Sequence, residues 1–348
     1  MDRRTLLKAG LAVPAVPVSV SVAGTALASP AGARPRISGA LARGLDLPWG
    51  ISFLPSGSAL VTERNSGRVL AVSPRGGYRV VGAVPGAYND GGEGGLMGVA
   101  VSPTYRRDRW VYFFLTTTSD NRIVRIRYDG RRLVGAPEEI LTGIPSGHTH
   151  NGGGLWFSGH PSLFATTGDT RNSALAQDRN SLAGKILRMT PTGAPQAGNP
   201  FGNRVFSLGH RNPEGITIGD DGRIWSAELG ENTWDELNRI LPGSNYGWAR
   251  VEGKDGAGGY RDPLAQWHPA DCPPSGVATL DGRAWVGALR GESLWSVDIS
   301  GRGRGRKVRW FHGTLGRIRH VKRAPDRSLW LTTSNGGGQD KVVRVTVG

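Results

Sequence analysis

The sequence predicts an all-β fold, a six-bladed β-propeller, and three observations lead there. Glycine is abundant, 54 of 348 residues, and is spread along the whole chain, which favours many tight turns. Apolar residues alternate in short runs, with almost no helical periodicity. One module also recurs: a turn residue, an alternating apolar strand, a turn, then a second strand rich in Trp, Leu, Val and Thr.

The copies are "PWGISFLPSGSALVTER" from Pro48, "GLMGVAVSPTYRRDRWVYFFLT" from Gly95 and "GGGLWFSGHPSLFATTGD" from Gly152. They continue with "PEGITIGDDGRIWSAELG" from Pro213, "PSGVATLDGRAWVGALRG" from Pro274 and "RIRHVKRAPDRSLWLTTS" from Arg317. Third strands follow in several copies, such as "GRVLAVSP", "NRIVRIRYDG", "GKILRMTPTG" and "ESLWSVDIS". Strand modules of roughly 40 to 60 residues, repeated six times, fit one four-stranded blade each around a central channel. A β-sandwich or a pair of β domains is the competing architecture. The repeats run from Leu47 to the C-terminus without a compositional break, so one domain is expected over 41–348, after a short linker at 29–40.

The N-terminus sets the compartment. "MDRRTLLKAGLAVPAVPVSVSVAGTALASP" joins Arg3 and Arg4 to an apolar run ending in Ala26-Leu27-Ala28. This pattern reads as a twin-arginine-type signal peptide over 1–28, with cleavage before Ser29 and export to the periplasm or beyond. Pro14 and Pro17 break the run, which falls short of the roughly 20 apolar residues of a membrane span. No later segment is apolar and long enough to cross, so stable membrane insertion after signal removal is not expected. Cys272 is the single cysteine, so no intrachain disulfide can form. The net charge of +15 could attract a polyanion, but export argues against nucleic acid. The arginines are scattered, and "SGRGRGRK" from Ser300 reads as a solvated loop.

In a propeller the ligand normally sits at one end of the channel, where the loops entering the inner strands converge. His150 precedes the inner strand of the third repeat, and Asp169 ends that repeat's second strand. Strand start and partner strand end lie side by side, so the two side chains are expected to meet at the channel mouth. A carboxylate would fix the ring tautomer, as a general base requires. The plainer alternative is a turn histidine and a turn-closing aspartate. His148 reads as a solvated loop residue.

Arg211 and Asn212 in "GHRNPEG" hold the position equivalent to His150 in the fourth repeat. They could polarise a ligand oxygen or simply tie backbone groups. Glu228, Glu231, Asp235 and Glu236 gather oxygens around a glycine-bearing turn of the kind a hard cation prefers, although no EF-hand spacing is present. Arg317 and Arg319 are alternate residues of one strand, expected on one face, where they suit a multiply charged anion.

These residues carry a resemblance. "GEGGLMGVAVSPTY", "HNGGGL", "TTGD", "SLAGKILRM", "NPF", "GHRNPEG", "DELN", "GSNYGW" and "RIRHV" occur in the order seen in the soluble quinoprotein sugar dehydrogenases, across nearly the whole of Leu47 to Val347. The resemblance implies a six-bladed propeller that uses pyrroloquinoline quinone (PQQ) and calcium to oxidise the C1 hydroxyl of an aldose to a lactone. It implies that His150 is the base, that Asp169 orients it, and that Arg211 stabilises negative charge on the quinone. Asn212, Arg317 and Arg319 would contact the cofactor. The carbonyls of Gly230 and Glu231 would hold the calcium, and Glu236 with the Tyr246 carbonyl matches a second calcium site of some relatives.

Four positions depart from the glucose-oxidising members. Glu93 stands for a glutamine, and Thr149 for a substrate-contacting aspartate, so both bear on sugar preference. Arg290 replaces a cofactor-contacting lysine, and Glu231 a proline. A sugar substrate and an unidentified electron acceptor are the expected partners. A non-catalytic carbohydrate- or envelope-binding propeller and a propeller lactonase are the competing functions.

Overall fold

The computed structural model describes residues 34–158, 162–256 and 258–348. The signal-peptide reading of 1–28, the cleavage point and residues 29–33 of the expected linker lie outside them, as do residues 159–161.

Six four-stranded antiparallel sheets are present, each numbered outward from the channel. Strand β1 (Pro35–Leu45) is set apart by its position and returns below. The first blade holds β2 (Pro48–Phe53), β3 (Ala59–Glu63), β4 (Arg68–Val72) and β5 (Tyr78–Ala83). The second holds β6 (Leu96–Val101), β7 (Trp110–Thr116), β8 (Asn121–Tyr128) and β9 (Leu133–Ile144). The third comprises β10 (Leu155–Phe157), β11 (Leu163–Thr167), β12 (Lys185–Met189) and β13 (Val205–Leu208). The fourth comprises β14 (Asn212–Ile218), β15 (Ile224–Leu229), β16 (Asp235–Ile240) and β17 (Ala265–Trp267). The fifth has β18 (Pro274–Leu280), β19 (Arg283–Ala288), β20 (Ser293–Asp298) and β21 (Lys307–Trp310). The sixth has β22 (Ile318–Arg323), β23 (Leu329–Thr333) and β24 (Asp340–Val347), with β1 as its outermost strand.

The six-bladed propeller read from the repeats is the fold observed, and the third strands named from sequence are β4, β8, β12 and β20. The linker boundary needs correction. Residues 35–40 are not linker but the first half of β1, which pairs with the C-terminal strand from Pro35 opposite Val347 to Leu45 opposite Asp340. This pairing closes the ring between the two ends of the domain. The strand escaped notice because it is a bulged outer edge: only Pro35, Ala42 and Leu45 are buried, and Gly39 and Gly44 interrupt it.

The core lies between blades. Six apolar clusters occupy the six blade interfaces, such as Leu60, Val69, Leu96 and Phe113 between the first and second blades. Trp225, Trp285 and Trp330, each on a second strand, are fully buried and fill three of these interfaces. Flat, wide side chains suit a sheet-on-sheet contact because each covers much area for little lost freedom.

At the axis the packing is tighter. Five of the six blades carry a glycine at the same point, on the inner strand or, for Gly154, just before it: Gly50, Gly98, Gly154, Gly215 and Gly276. A Cβ at Gly154 would sit 2.5 Å from the Glu214 carbonyl oxygen. It would sit closer still to the Gly153 oxygen at Gly98, and to the Ser275 oxygen at Gly215. In the sixth blade His320 occupies this point. Second-strand hydroxyls reinforce the ring: Thr62 Oγ1 accepts from Gly50 N at 2.9 Å and donates to Met97 O of the next blade at 2.5 Å.

Gly215→Ala is expected to cost about 3 kcal/mol by overpacking backbone against backbone. Gly57, at φ +85° in open space, is the control. Gly57→Ala meets only left-handed strain of about 1 kcal/mol. Chemical denaturation of the two variants checks the ranking.

Candidate active site

All the inner strands run the same way, so the segments that lead into them gather at one mouth of the channel. Asparagine and glycine residues dominate the segment before β10, and His150 there takes a left-handed conformation, φ +59°. A histidine in that region is uncommon, and two contacts hold it. Its N–H donates to Glu93 Oε2 at 2.8 Å, and its carbonyl accepts from Thr170 N at 3.2 Å. Glu93 therefore fixes the backbone of His150, a task separate from any contact with substrate.

The pair expected from strand geometry forms. His150 Nδ1 lies 2.7 Å from Asp169 Oδ1. The second carboxylate oxygen of Asp169 accepts from Trp248 Nε1, also at 2.7 Å, and Arg171 N–H adds a bond at 2.9 Å. Burial by itself would raise the Asp169 pKa, but these donors, His150 first, outweigh it and hold the carboxyl below its ordinary value. An ionised Asp169 keeps the proton on Nδ1 and leaves Nε2 as the acceptor nitrogen. His150, only 12% exposed, lines a pocket of 360 Å³ with Asp169, Arg171, Trp248, Arg250 and Glu252.

The glycines beside His150 have a cause that sequence reading missed. Gly152 packs on the backbone of Thr166 and Thr167, Gly153 on the Met97 side chain, and Gly154 on Glu214 O. The nest is demanded by the neighbouring chain.

Arg211 and Asn212 both reach this mouth. Asn212 Oδ1 accepts from Gly152 N at 3.0 Å, so its amide oxygen ties backbone. The Arg211 guanidinium stacks 5.5 Å from the Trp248 ring, and its Nε is buried with no partner. A buried guanidinium donor without an acceptor is a vacancy for a ligand oxygen. Below it, Glu228 takes Arg211 N and His210 Nδ1, the latter at 2.8 Å, so its carboxylate is fully engaged in support.

Arg317 and Arg319 come together, though not as alternate residues of a regular strand. The β22–β23 ladder is irregular between Ile318 and His320, so Arg319 sits at a bulge. The Arg317 pKa is lowered by burial and then by the charge of Arg319. Arg64, which the sequence reading passed over, belongs to the same cluster: burial and Arg319 lower its pKa too. It follows β3 directly, at the point matching Gly168 in the third blade. One buried carboxylate serves these cations. Glu214 pairs with Arg319 Nη1 and accepts from Ser275 Oγ. Arg290 is exposed nearby, and its charge is felt at Arg317.

The acidic turn is not a carboxylate cage. Among the described residues, no group of three or more His, Cys, Asp or Glu is placed to share a metal. Glu231 is exposed, and Glu236 has both oxygens taken, by Gly253 N at 2.7 Å and Asn238 Nδ2 at 2.8 Å. Burial, with help from the neighbouring Glu228, pushes Glu236 up to about 8. Tyr246 stacks on His210 and bonds to Arg239 O through its hydroxyl. The carbonyls of Gly230 and Glu231 are different, since no hydrogen bond among the described residues ends on them. Glu252 explains this. Its Oε1 accepts from four successive N–H groups, those of Glu231 at 2.5 Å and of Asn232, Thr233 and Trp234 at 3.2 Å each. With the amides drawn onto one carboxylate, carbonyl oxygens are left for another partner. Asp235 underlies the loop, bonded to Gly230 N at 2.9 Å, and its Oδ2 is buried without a partner. Thr149 Oγ1 is a further buried orphan next to His150. His148 is exposed and faces Asp90 at 3.1 Å, in keeping with a solvated loop.

Comparison with known proteins agrees with this picture. The profile of the Glucose / Sorbosone dehydrogenase family matches residues 45–344. Quinoprotein glucose dehydrogenase B of Acinetobacter calcoaceticus is 29% identical over 252 residues, 62% of this chain and 53% of that protein, so the match spans about half of that relative. The aldose sugar dehydrogenase of Escherichia coli K12 is 26% identical over 331 residues, 85% of this chain and 89% of that protein. Among solved structures, the PQQ-bound aldose sugar dehydrogenase of Streptomyces coelicolor has a TM-score of 0.88 and 43% identity, covering 92% of this chain and all of that one.

Two outcomes check the site. Glu252→Ala should speed amide hydrogen exchange at 231–234 by about tenfold, since each N–H loses a charge-assisted bond; mass spectrometry reads it. For Asp169, the depressed pKa means its stabilising bonds are fully present above the ordinary value of 3.8 and are lost as pH falls through the folded value. Asp169→Asn should therefore be less stable by about 2 kcal/mol at neutral pH. The gap to wild type should close in acid, as measured by denaturant titration at each pH.

Proposed function

This chain belongs to the glucose / sorbosone dehydrogenase family, and we propose that it is an exported, PQQ-dependent aldose dehydrogenase in which His150 is the catalytic base. The observation that carries this reading is the His150–Asp169 pair, placed beside a buried Arg211 Nε that has no acceptor.

The residues present fit the quinone. Its carboxylates call for cations, and Arg64, Arg317 and Arg319 gather around the buried Glu214, with Glu93, Asp46 and Glu292 acting more weakly. Arg211, Asn212, Arg290, Arg317, Arg319 and Arg64 would hold the cofactor. When bound, PQQ supplies the two-electron acceptor for oxidation of the sugar. The unclaimed carbonyls of Gly230 and Glu231 fit a hard cation such as calcium, whose charge would favour electron uptake at the site. A second cation at Glu236 and Tyr246 is poorly matched, because protein donors already occupy both Glu236 oxygens.

The chain's own chemistry then follows. His150 Nε2 takes the proton of the sugar's C1 hydroxyl, and the imidazolium that results is stabilised by the ionised Asp169. Trp248 and Arg171 keep Asp169 from turning away. Glu93 holds the His150 backbone, so the base starts in place. The Arg211 guanidinium, backed by Trp248, faces the position where negative charge grows, and a preset donor stabilises such charge without reorganisation. Glu93 and Thr149, at this mouth, are the positions from which the sugar would be discriminated. Export is supported by Arg3-Arg4 and the apolar run before Ala28. Among the described residues, no helix is long and apolar enough to cross a membrane.

The test uses protein purified without cofactor and titrated with PQQ and calcium, with dye reduction followed over a panel of aldoses. His150→Ala should leave quinone binding intact and lower turnover by about 10²- to 10⁴-fold. Turnover that survives the substitution would remove His150 as base. No quinone binding at all would overturn the reading and leave a sugar-binding propeller.

A further inference from the structure

The far mouth of the channel holds a second pocket, of 550 Å³, which the sugar-oxidising end does not use. The ends of four inner strands and the turn after β22 form it: Phe53, Val101, Trp156 and Phe157 face Lys322 and Pro325. Its distance from the first site follows from strand direction. Arg317 and Arg319 stand where β22 begins, and Lys322 and Arg323 where it ends.

The charges around this pocket are unbalanced in a specific way. Arg323 is paired bidentately with Asp220, both bonds at 2.6 Å. Arg327 is paired with Asp281. Lys322 has no carboxylate. Its Nζ reaches across the channel and rests 3.4 Å from the centre of the Trp156 ring, and among the described residues no hydrogen bond or ion pair ends on it. The other charged or titratable residues of its own strand, Arg319, His320 and Arg323, supply no negative charge. Burial without a counter-ion pushes the Lys322 amine down to about 7, which is the cost of leaving it alone. A cation–π contact offsets part of that cost and also fixes the ammonium against an aromatic wall. The pocket thus offers one ammonium without a carboxylate, two flat aromatic side chains and room for a ring-sized ligand.

We propose that this far mouth binds a small organic monocarboxylate with a flat apolar body, its carboxylate on Lys322 and its body against Trp156 and Phe157. One unpaired cation selects a single negative charge. The faces of Trp156 and Phe157 favour a flat apolar body. The site is independent of the quinone reading, since none of its residues belongs to the opposite mouth.

Benzoate and its neutral counterpart benzamide are the probes, titrated calorimetrically into the full-length protein. Benzoate should bind at least about tenfold more tightly than benzamide, the equivalent of one retained charge contact of about 1.4 kcal/mol. Lys322→Met should erase that difference, and Lys322→Arg should keep it. Dye-linked sugar oxidation, which depends on the other mouth, should be unchanged in both variants. Trp156→Leu should weaken both probes, a check that stands even if Lys322→Met folds poorly. Equal binding of the two probes, a benzoate preference that survives Lys322→Met, or no heat at about 10 mM ligand would each overturn the proposal.

Discussion

The close approach of neighbouring inner strands at the channel axis is the constraint from which the rest of the structure follows. Where a Cβ at Gly154 would come within 2.5 Å of a backbone oxygen, no other residue fits without moving a blade. Six short strands held this near each other make the channel narrow, and the segments entering them must converge. His150, Arg211 and Arg317 all lie on such entering segments. Close contacts between groups on different blades, such as the 3.0 Å from Gly152 N to Asn212 Oδ1, are then imposed by the ring and not by the loops themselves. Buried hydroxyls translate the same constraint into hydrogen bonds. Thr332 repeats in the sixth blade what Thr62 does in the first, accepting from His320 N and reaching Trp49 O across the junction. The ring closes by the bonds that build it.

A second layer of organisation comes from carboxylates bonded to the protein's own groups. In a strongly basic chain, Glu93, Glu214, Glu228 and Glu252 are each spent on positioning. Glu93 pins the His150 backbone, Glu228 pins Arg211, Glu214 neutralises Arg319, and Glu252 gathers four amides. The result is a mouth whose free donors are guanidinium groups and whose free acceptors are carbonyls. Such a distribution favours a ligand that carries carboxylates at one edge and a cation at another. Side-chain charge alone would not have produced it, because the carbonyls of Gly230 and Glu231 are released only when Glu252 takes the amides.

Much of this was legible in the sequence, and the reasons differ between residues. The blades were legible because each two-strand unit repeats the same alternation, and the His150–Asp169 contact because antiparallel pairing sets strand start beside strand end. Strand β1 was not, since an outer edge with three buried residues in eleven carries no alternation to read. Arg64 and Glu214 were missed for another reason: each is one charged residue near a strand end, and only the ring brings them to Arg319. The glycines before β10 are plain in the sequence, but their cause is not. Their number signals close approach, and sequence cannot say whether the approaching body is a ligand or the next blade. The acidic turn misled in the same manner. Four acids in nine residues look like a cage, yet alternation along β16 and the pull of Gly253 and Asn238 turn Glu236 away from any shared centre.

The sixth blade breaks the glycine rule, and that exception organises the channel lengthwise. His320 stands where the other five blades have glycine, 6.0 Å from Trp49. Burial, then the charges of Lys322 and Arg319, drive its pKa down to about 3, so the ring is neutral across the working range. On this one strand the order is therefore cation, neutral ring, cation. Arg319 is discharged toward Glu214, while Lys322 leans away onto Trp156. Two unpaired cations in a narrow apolar channel would repel strongly, because little water screens them. A protonated His320 between them would make a third. By keeping the middle position neutral and pairing only one end, the strand allows a cationic cluster at one mouth and a lone ammonium at the other. The two ends of the propeller can then carry separate electrostatic tasks on a single β-strand.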